Sequence, residues 1–206
     1  HFLFDVLVQL GTLIGVFVYF WKDLMEVLNG VLKGLRSKDL FHDPGAKLGL
    51  HLAVATLPAV VIGLLFKDRL EAFFSNEHAT LYFLMFTAAM LFGAEALGKD
   101  KPEVTNTTWK MALAIGFAQA LALFPGVSRS GSTIAAGMFL GLSRGQSARF
   151  SFLMSIPVLL GASLLAGRDL ISQSHLLDAL LVPLLVGFVT SGITGYLVIR
   201  WFLTYL

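Results

Sequence analysis

Three consecutive pieces decide the architecture: Met111–Phe124 (MALAIGFAQALALF), Pro125–Thr133 (PGVSRSGST) and Ile134–Leu142 (IAAGMFLGL). The first is apolar for 14 residues. As a helix it would extend about 21 Å, at 1.5 Å per residue, against a hydrocarbon core of about 30 Å. The third piece is shorter still, so neither crosses a membrane alone. Two undersized helices joined by Pro-Gly and a run of hydroxyls fit a re-entrant helical hairpin over 111–142, which dips into the bilayer and returns to the face it left.

Longer apolar runs lie on either side. Phe2–Trp21 is interrupted only by Asp5 and Gln9 and is closed by Lys22-Asp23. Leu48–Phe66 contains His51 and Pro58, Thr80–Leu97 carries Glu95 near its end, and Phe150–Ala166 and Ala179–Ile199 are each followed by an arginine. Each approaches the roughly 20 apolar residues that a transmembrane helix needs. Hydrophobic residues make up 56% of the 206 positions and charged residues 14%, against about 25% charged in an ordinary soluble domain, so a water-facing surface cannot be built. The fold class is therefore an all-α polytopic membrane protein: one integral membrane domain over 1–206, with transmembrane helices and the hairpin. Cysteine is absent, which excludes disulfides, thiolate metal sites and cysteine nucleophiles. The sequence opens at His1 inside an apolar run, and Trp201–Leu206 reads as the start of another; a piece of a longer protein is expected.

Loop charges test the hairpin. If 111–142 returns to its starting face, eleven basic residues lie on one side and three on the other; a single crossing would leave nine against five. The positive-inside rule favours the return. Within Lys22–Lys47, Leu24, Val27, Leu28, Val31, Leu32 and Leu35 recur at helical spacing among five basic residues, as in an amphipathic helix on anionic lipid head groups. Nucleic acid is not indicated.

The hairpin turn carries the chemistry. Ser128, Ser130, Ser132 and Thr133 surround Arg129, and an arginine at membrane depth is costly unless something anionic meets it. Backbone N–H groups at the start of the returning helix, the hydroxyls, and a guanidinium able to grip two oxygens make a site suited to phosphate. The plainer reading is an arginine bonded to helix-end carbonyls as structural glue. Asp5 and Gln9 share a helix face that looks either to the site or into the bundle. His51 fits a bonded interfacial histidine better than a catalyst, and Glu95 can snorkel to solvent. Gly11-x-x-x-Gly15, Gly137-x-x-x-Gly141 and Gly187-x-x-x-Ser191-x-x-x-Gly195 read as helix-packing surfaces.

Pro125-Gly126-x-Ser128-Arg129-Ser130-x-x-Thr133 resembles, position for position, the signature of the undecaprenyl-diphosphate phosphatase family associated with bacitracin resistance. Phe4-Asp5-Val6-Leu7-Val8-Gln9-Leu10-Gly11, and Arg149-Phe150-Ser151-Phe152-Leu153 with Ile156-Pro157, extend the resemblance over nearly the whole chain. It implies an inverted-repeat fold with two re-entrant hairpins. The family's Glu-x-x-x-Glu and Pro-Val-Ser-Ser-Thr-Gly-His motifs of the N-terminal hairpin occur nowhere in these residues, so that hairpin and a C-terminal helix are expected to be missing. The 206 residues by themselves are then expected to be inactive. Gly116-x-x-Gln119, then Pro125, Ser128 and Gly131, echoes the order Gly, Glu, Pro, Ser and Gly of that hairpin, so Gln119 stands near the place of a glutamate.

The resemblance implies hydrolysis of undecaprenyl diphosphate to the monophosphate and inorganic phosphate, recycling the carrier for cell-wall synthesis in the bacterial inner membrane. Arg129, with Ser128, Ser130 and Thr133, would carry the catalytic chemistry of this half; Pro125, Gly126 and Gln119 would join Arg129 in binding substrate. A divalent cation, Mg or Ca, is implied too, with its ligands in the absent hairpin and no metal ligand here. The partners are a polyprenyl diphosphate lipid and the membrane, and a homodimer stays open. A lipid flippase or small-molecule transporter is the alternative, since broken helices and a midplane arginine serve passage as well as hydrolysis. Acid-phosphatase-like lipid phosphatases need a histidine after Ser-Arg and five intervening residues; Ala135 stands there.

Overall fold

The computed structural model describes residues 2–38, 41–66, 73, 77–98, 107–171 and 177–206. They form eight helices: α1 Phe2–Tyr19, α2 Trp21–Ser37, α3 Pro44–Leu65, α4 Glu77–Gly98, α5 Trp109–Leu121, α6 Arg129–Phe139, α7 Arg144–Ile171 and α8 Leu177–Tyr205. No strand occurs among the described residues. Three helices are long and apolar enough to cross a membrane, Pro44–Leu65, His78–Leu97 and Val182–Tyr205. Their large side chains point outward, Leu64 at 75%, Met85 at 70% and Phe92 at 78% exposure. Apolar groups presented this way suit lipid rather than water. The chain is a multi-pass, all-α membrane protein.

Helix starts follow local capping chemistry, and they move several expected boundaries. The second span begins at Pro44, not Leu48, because Asp43 caps it: its carboxylate accepts the Gly45 and Ala46 N–H groups at 2.9 and 3.1 Å. Proline at the first helical position surrenders only an N–H that has no intrahelical partner. A Cβ at Gly30 of α2 would strike that Asp43 carboxylate, so the glycine admits the cap. The amphipathic segment is α2, and the chain bends by 73° between α1 and the start of α2. Leu28, Leu32 and Leu35 stay exposed along α2. Arg200, expected to follow the last span, lies inside α8, which continues unbroken to Tyr205.

The chain divides into two compact units. One comprises His1–Glu26 and Ser155–Leu206, where α1 packs along α8. The glycine motifs meet there: a Cβ at Gly11 would strike Ser191 Oγ and Phe188 O, and one at Gly15 would lie 2.6 Å from Gly192 O and 2.8 Å from Tyr196 N. Tyr19 and Tyr196 add an edge-on ring contact at 6.1 Å.

The other unit is Val27–Met154. In it α3 packs on α5, α5 on α6 and α6 on α4. Ala94, Ala135 and Met138 form a buried cluster backed by Met90, Ile134 and Phe139. Gly116 lets α5 approach α3 closely, since a Cβ there would strike the Ala55 carbonyl. Gly137 likewise packs on Ser147, and Gly141 takes a φ of +96° where the chain turns out of α6, a conformation that favours glycine.

Candidate functional site

α5 and α6 have 13 and 11 residues, roughly 20 and 17 Å at 1.5 Å per residue. The turn between them is 122–128. It opens on three successive tight bonds, Ala122 N–H to Gln119 O, Leu123 to Ala120 and Phe124 to Leu121, at 3.0–3.1 Å. Gly126 then takes φ +92°, and a Cβ there would strike Thr80 O. Both facts require glycine. Phe124 fixes the turn between the rings of Phe83 and Phe73, with centroids at 5.1 and 5.2 Å.

Ser128 is the N-cap of α6, its Oγ accepting the Gly131 N–H at 3.2 Å. The returning helix therefore starts at Arg129 rather than Ile134, and Ser130, Ser132 and Thr133 stand on its first turns instead of in a loop. Ser128 and Ser130 place their hydroxyl oxygens 3.5 Å apart. The first intrahelical bond runs from Ser132 N–H to Ser128 O at 2.9 Å, so the Arg129 and Ser130 N–H groups at the helix start have no acceptor within the helix. Those dipoles and the guanidinium all favour an anion.

Arg129 is only partly exposed, and its Nη1 is buried with no hydrogen-bond partner among the described residues. Gln119, 2% exposed on α5, has neither amide atom satisfied. Both amide atoms of Gln119 and one guanidinium nitrogen of Arg129, on helices that pack together, thus have no partner among the described residues, and leaving such groups unpaired costs about 1–3 kcal/mol each. An arginine acting as structural glue through Nη1 would have that atom bonded to a carbonyl, and no carbonyl among the described residues takes it. Thr133 and Ser132 are already committed: the Thr133 hydroxyl lies 2.8 Å from Arg129 O and 3.2 Å from Ser130 O, and Ser132 Oγ lies 3.1 Å from Arg129 O. Ser130 keeps the least engaged hydroxyl.

Two further participants lie outside the hairpin turn, Thr87 in an apolar run and Ser151 within the stretch Arg149–Leu153 that extends the resemblance. Thr87 of α4 accepts the Ser128 N–H, and Ser151 of α7 sits 2.6 Å from Thr133. Glu95 meets Arg144 in a two-pronged ion pair, with Nε to Oε2 at 2.9 Å. Gln9 is exposed, His51 is buried within α3, and Asp5 lies on α1 with its side chain outside the described residues. No three His, Asp, Glu or Cys side chains converge among the described residues, so the described residues do not by themselves make a divalent-cation site.

Comparison with known proteins places the chain among undecaprenyl-diphosphatase relatives. The chain is 37% identical over 206 residues to the undecaprenyl-diphosphatase of Methanosphaera stadtmanae, covering 96% of this chain and 73% of the relative. It is 42% identical over 200 residues to that of Alcanivorax borkumensis, covering 97% and 74%. To that of Synechocystis sp. it is 39% identical over 207 residues, covering 98% and 63%. The model of the family described as bacitracin resistance protein BacA matches residues 1–206 from end to end, and the chain belongs to that family.

Proposed function

We propose that this protein hydrolyses undecaprenyl diphosphate to undecaprenyl phosphate and inorganic phosphate in the bacterial inner membrane, with the diphosphate held at the start of α6. The observation that carries the reading is Arg129: a buried guanidinium nitrogen without a partner among the described residues, set at the first position of a helix capped by Ser128. A planar guanidinium grips two phosphate oxygens at once. In the reaction water adds to the terminal phosphorus, the bond to the bridging oxygen breaks, and that oxygen leaves on the lipid phosphate. Phosphoryl transfer asks chiefly for positioning and neutralisation of charge, which Arg129 and the first-turn N–H groups supply.

Ser128 and Ser130 border the phosphate oxygens, and Thr133 holds the helix start beneath them. Pro125 and Gly126 shape the turn, and the Gln119 amide offers a donor and an acceptor to the substrate. The hairpin 111–142 re-enters the membrane, bringing these groups to the depth at which a lipid diphosphate arrives. The relatives bear the name of this activity. Phosphate release from undecaprenyl diphosphate by the full-length protein tests the reading. Turnover by the parent, lost per folded molecule in Arg129→Ala, supports it; parent-like specific activity in Arg129→Ala ends it.

A further inference from the structure

Ser151 and Thr133 form a buried hydroxyl pair, 4% and 1% exposed, with their oxygens 2.6 Å apart. Each hydroxyl has one proton. Thr133 has a carbonyl acceptor, Arg129 O at 2.8 Å, whereas among the described residues the Ser151 hydroxyl has Thr133 Oγ1 as its one hydrogen-bond partner. If Thr133 gave its proton to Ser151, the Ser151 proton would be buried with no acceptor and Arg129 O would lose its closest hydroxyl. The satisfied arrangement runs one way: Ser151 donates to Thr133, and Thr133 donates to the Arg129 carbonyl.

We propose that Ser151 is a positioning residue for Arg129, acting through Thr133; this rests on the reading of Arg129 as the diphosphate clamp. Ser151 belongs to α7 and Arg129 to α6, so the chain of hydroxyls ties the peptide that carries the guanidinium to a second helix. Thr133 alone could hold Arg129 O only from within α6, and the whole helix start could then shift together. The donor from α7 fixes the threonine rotamer from outside. Gly137 brings the two helices to the necessary distance, since a Cβ there would lie 2.7 Å from Ser147 Oγ, one turn before Ser151.

The test compares Ser151→Ala, Thr133→Val and the double variant in the full-length protein. KM for undecaprenyl diphosphate, kcat per folded molecule, and inhibition by inorganic diphosphate as a probe of the clamp are measured with the melting temperature. One lost neutral hydrogen bond should raise KM and the inhibition constant together by about 3-fold to 10-fold in Ser151→Ala. Ser151→Cys, with a weaker donor of similar size, should fall between parent and alanine, and it serves if Ser151→Ala does not fold. In the double variant the loss of Ser151 should add nothing to that of Thr133. A purely structural serine would lower folded yield or melting temperature and leave both constants unmoved, which overturns the proposal. Effects that multiply in the double variant overturn it as well. A parent that releases no phosphate overturns the clamp reading along with it, whereas an active parent with unmoved Ser151 variants overturns this proposal alone.

Discussion

Thr87 of α4 holds the cap of α6 from outside: its Oγ1 accepts the Ser128 N–H at 3.2 Å and passes its own proton to Phe83 O at 3.1 Å. Thr87 is 3% exposed, so nothing replaces it readily. Thr87→Val keeps the shape and strands the Ser128 N–H. The expected cost is about 1–3 kcal/mol of stability, read as a lower melting temperature in detergent, with specific activity falling as the cap loosens. An unchanged melting temperature would show that this bond holds nothing.

Arg129→Lys keeps the charge but loses the two-pronged geometry. Charge-assisted bonds contribute roughly 1.5–3 kcal/mol each, so phosphate release per folded molecule should drop by about 10-fold to 100-fold. Arg129→Ala should drop further. Normalising to monodisperse protein separates lost chemistry from lost folding.

The re-entrant course of 111–142 predicts that residues just before α5 and just after α6 face the same compartment. The sequence has no cysteine, so single cysteines can be introduced without background. Lys110 and Gly145 are suitable, the latter because nothing lies within 4 Å of its added Cβ; Arg144 is not, being paired with Glu95. Both should react with a membrane-impermeant maleimide from one side. Labelling from opposite sides would mean that the segment crosses.

Gly15→Ala should weaken the packing of α1 on α8 by about 1–3 kcal/mol, the usual cost of overpacking, because its Cβ would sit 2.6 Å from Gly192 O. Gly161→Ala in α7 has no neighbour within 4 Å and should be neutral or stabilise by about 0.5–1 kcal/mol through helix propensity. Thermal unfolding of the pair side by side checks the contrast.

How much of this was legible depended on whether the information was local. The apolar runs gave the membrane class, and the undersized pieces around Pro125-Gly126 gave the short helix pair, because length against bilayer thickness is a one-dimensional property. Asp43-Pro44 and Ser128-x-x-Gly131 carry the pattern of a cap followed by a tolerant first turn, but the apolar runs alone place these starts later, at Leu48 and Ile134. Treating the polar run as all turn shifted the α6 start by five residues, from Arg129 to Ile134. Thr87 and Ser151 stayed hidden because their partners lie 41 and 18 residues away. A lone hydroxyl in an apolar run looks the same whether it bonds its own helix or another. Gly137 packs on Ser147, and its motif partner Gly141 has a positive φ at the end of α6, a property that only backbone angles reveal.

The contact between Gly15 and α8 has a genetic consequence. The atoms that a side chain at Gly15 would meet are a carbonyl oxygen and an amide nitrogen, Gly192 O and Tyr196 N, and every amino acid carries these. No substitution at Gly192 or Tyr196 can remove them, so a defect caused at Gly15 has no suppressor at the point of collision. Revertants selected from a Gly15 variant should restore glycine, or should arise at positions elsewhere along α1 and α8 that let the helices part.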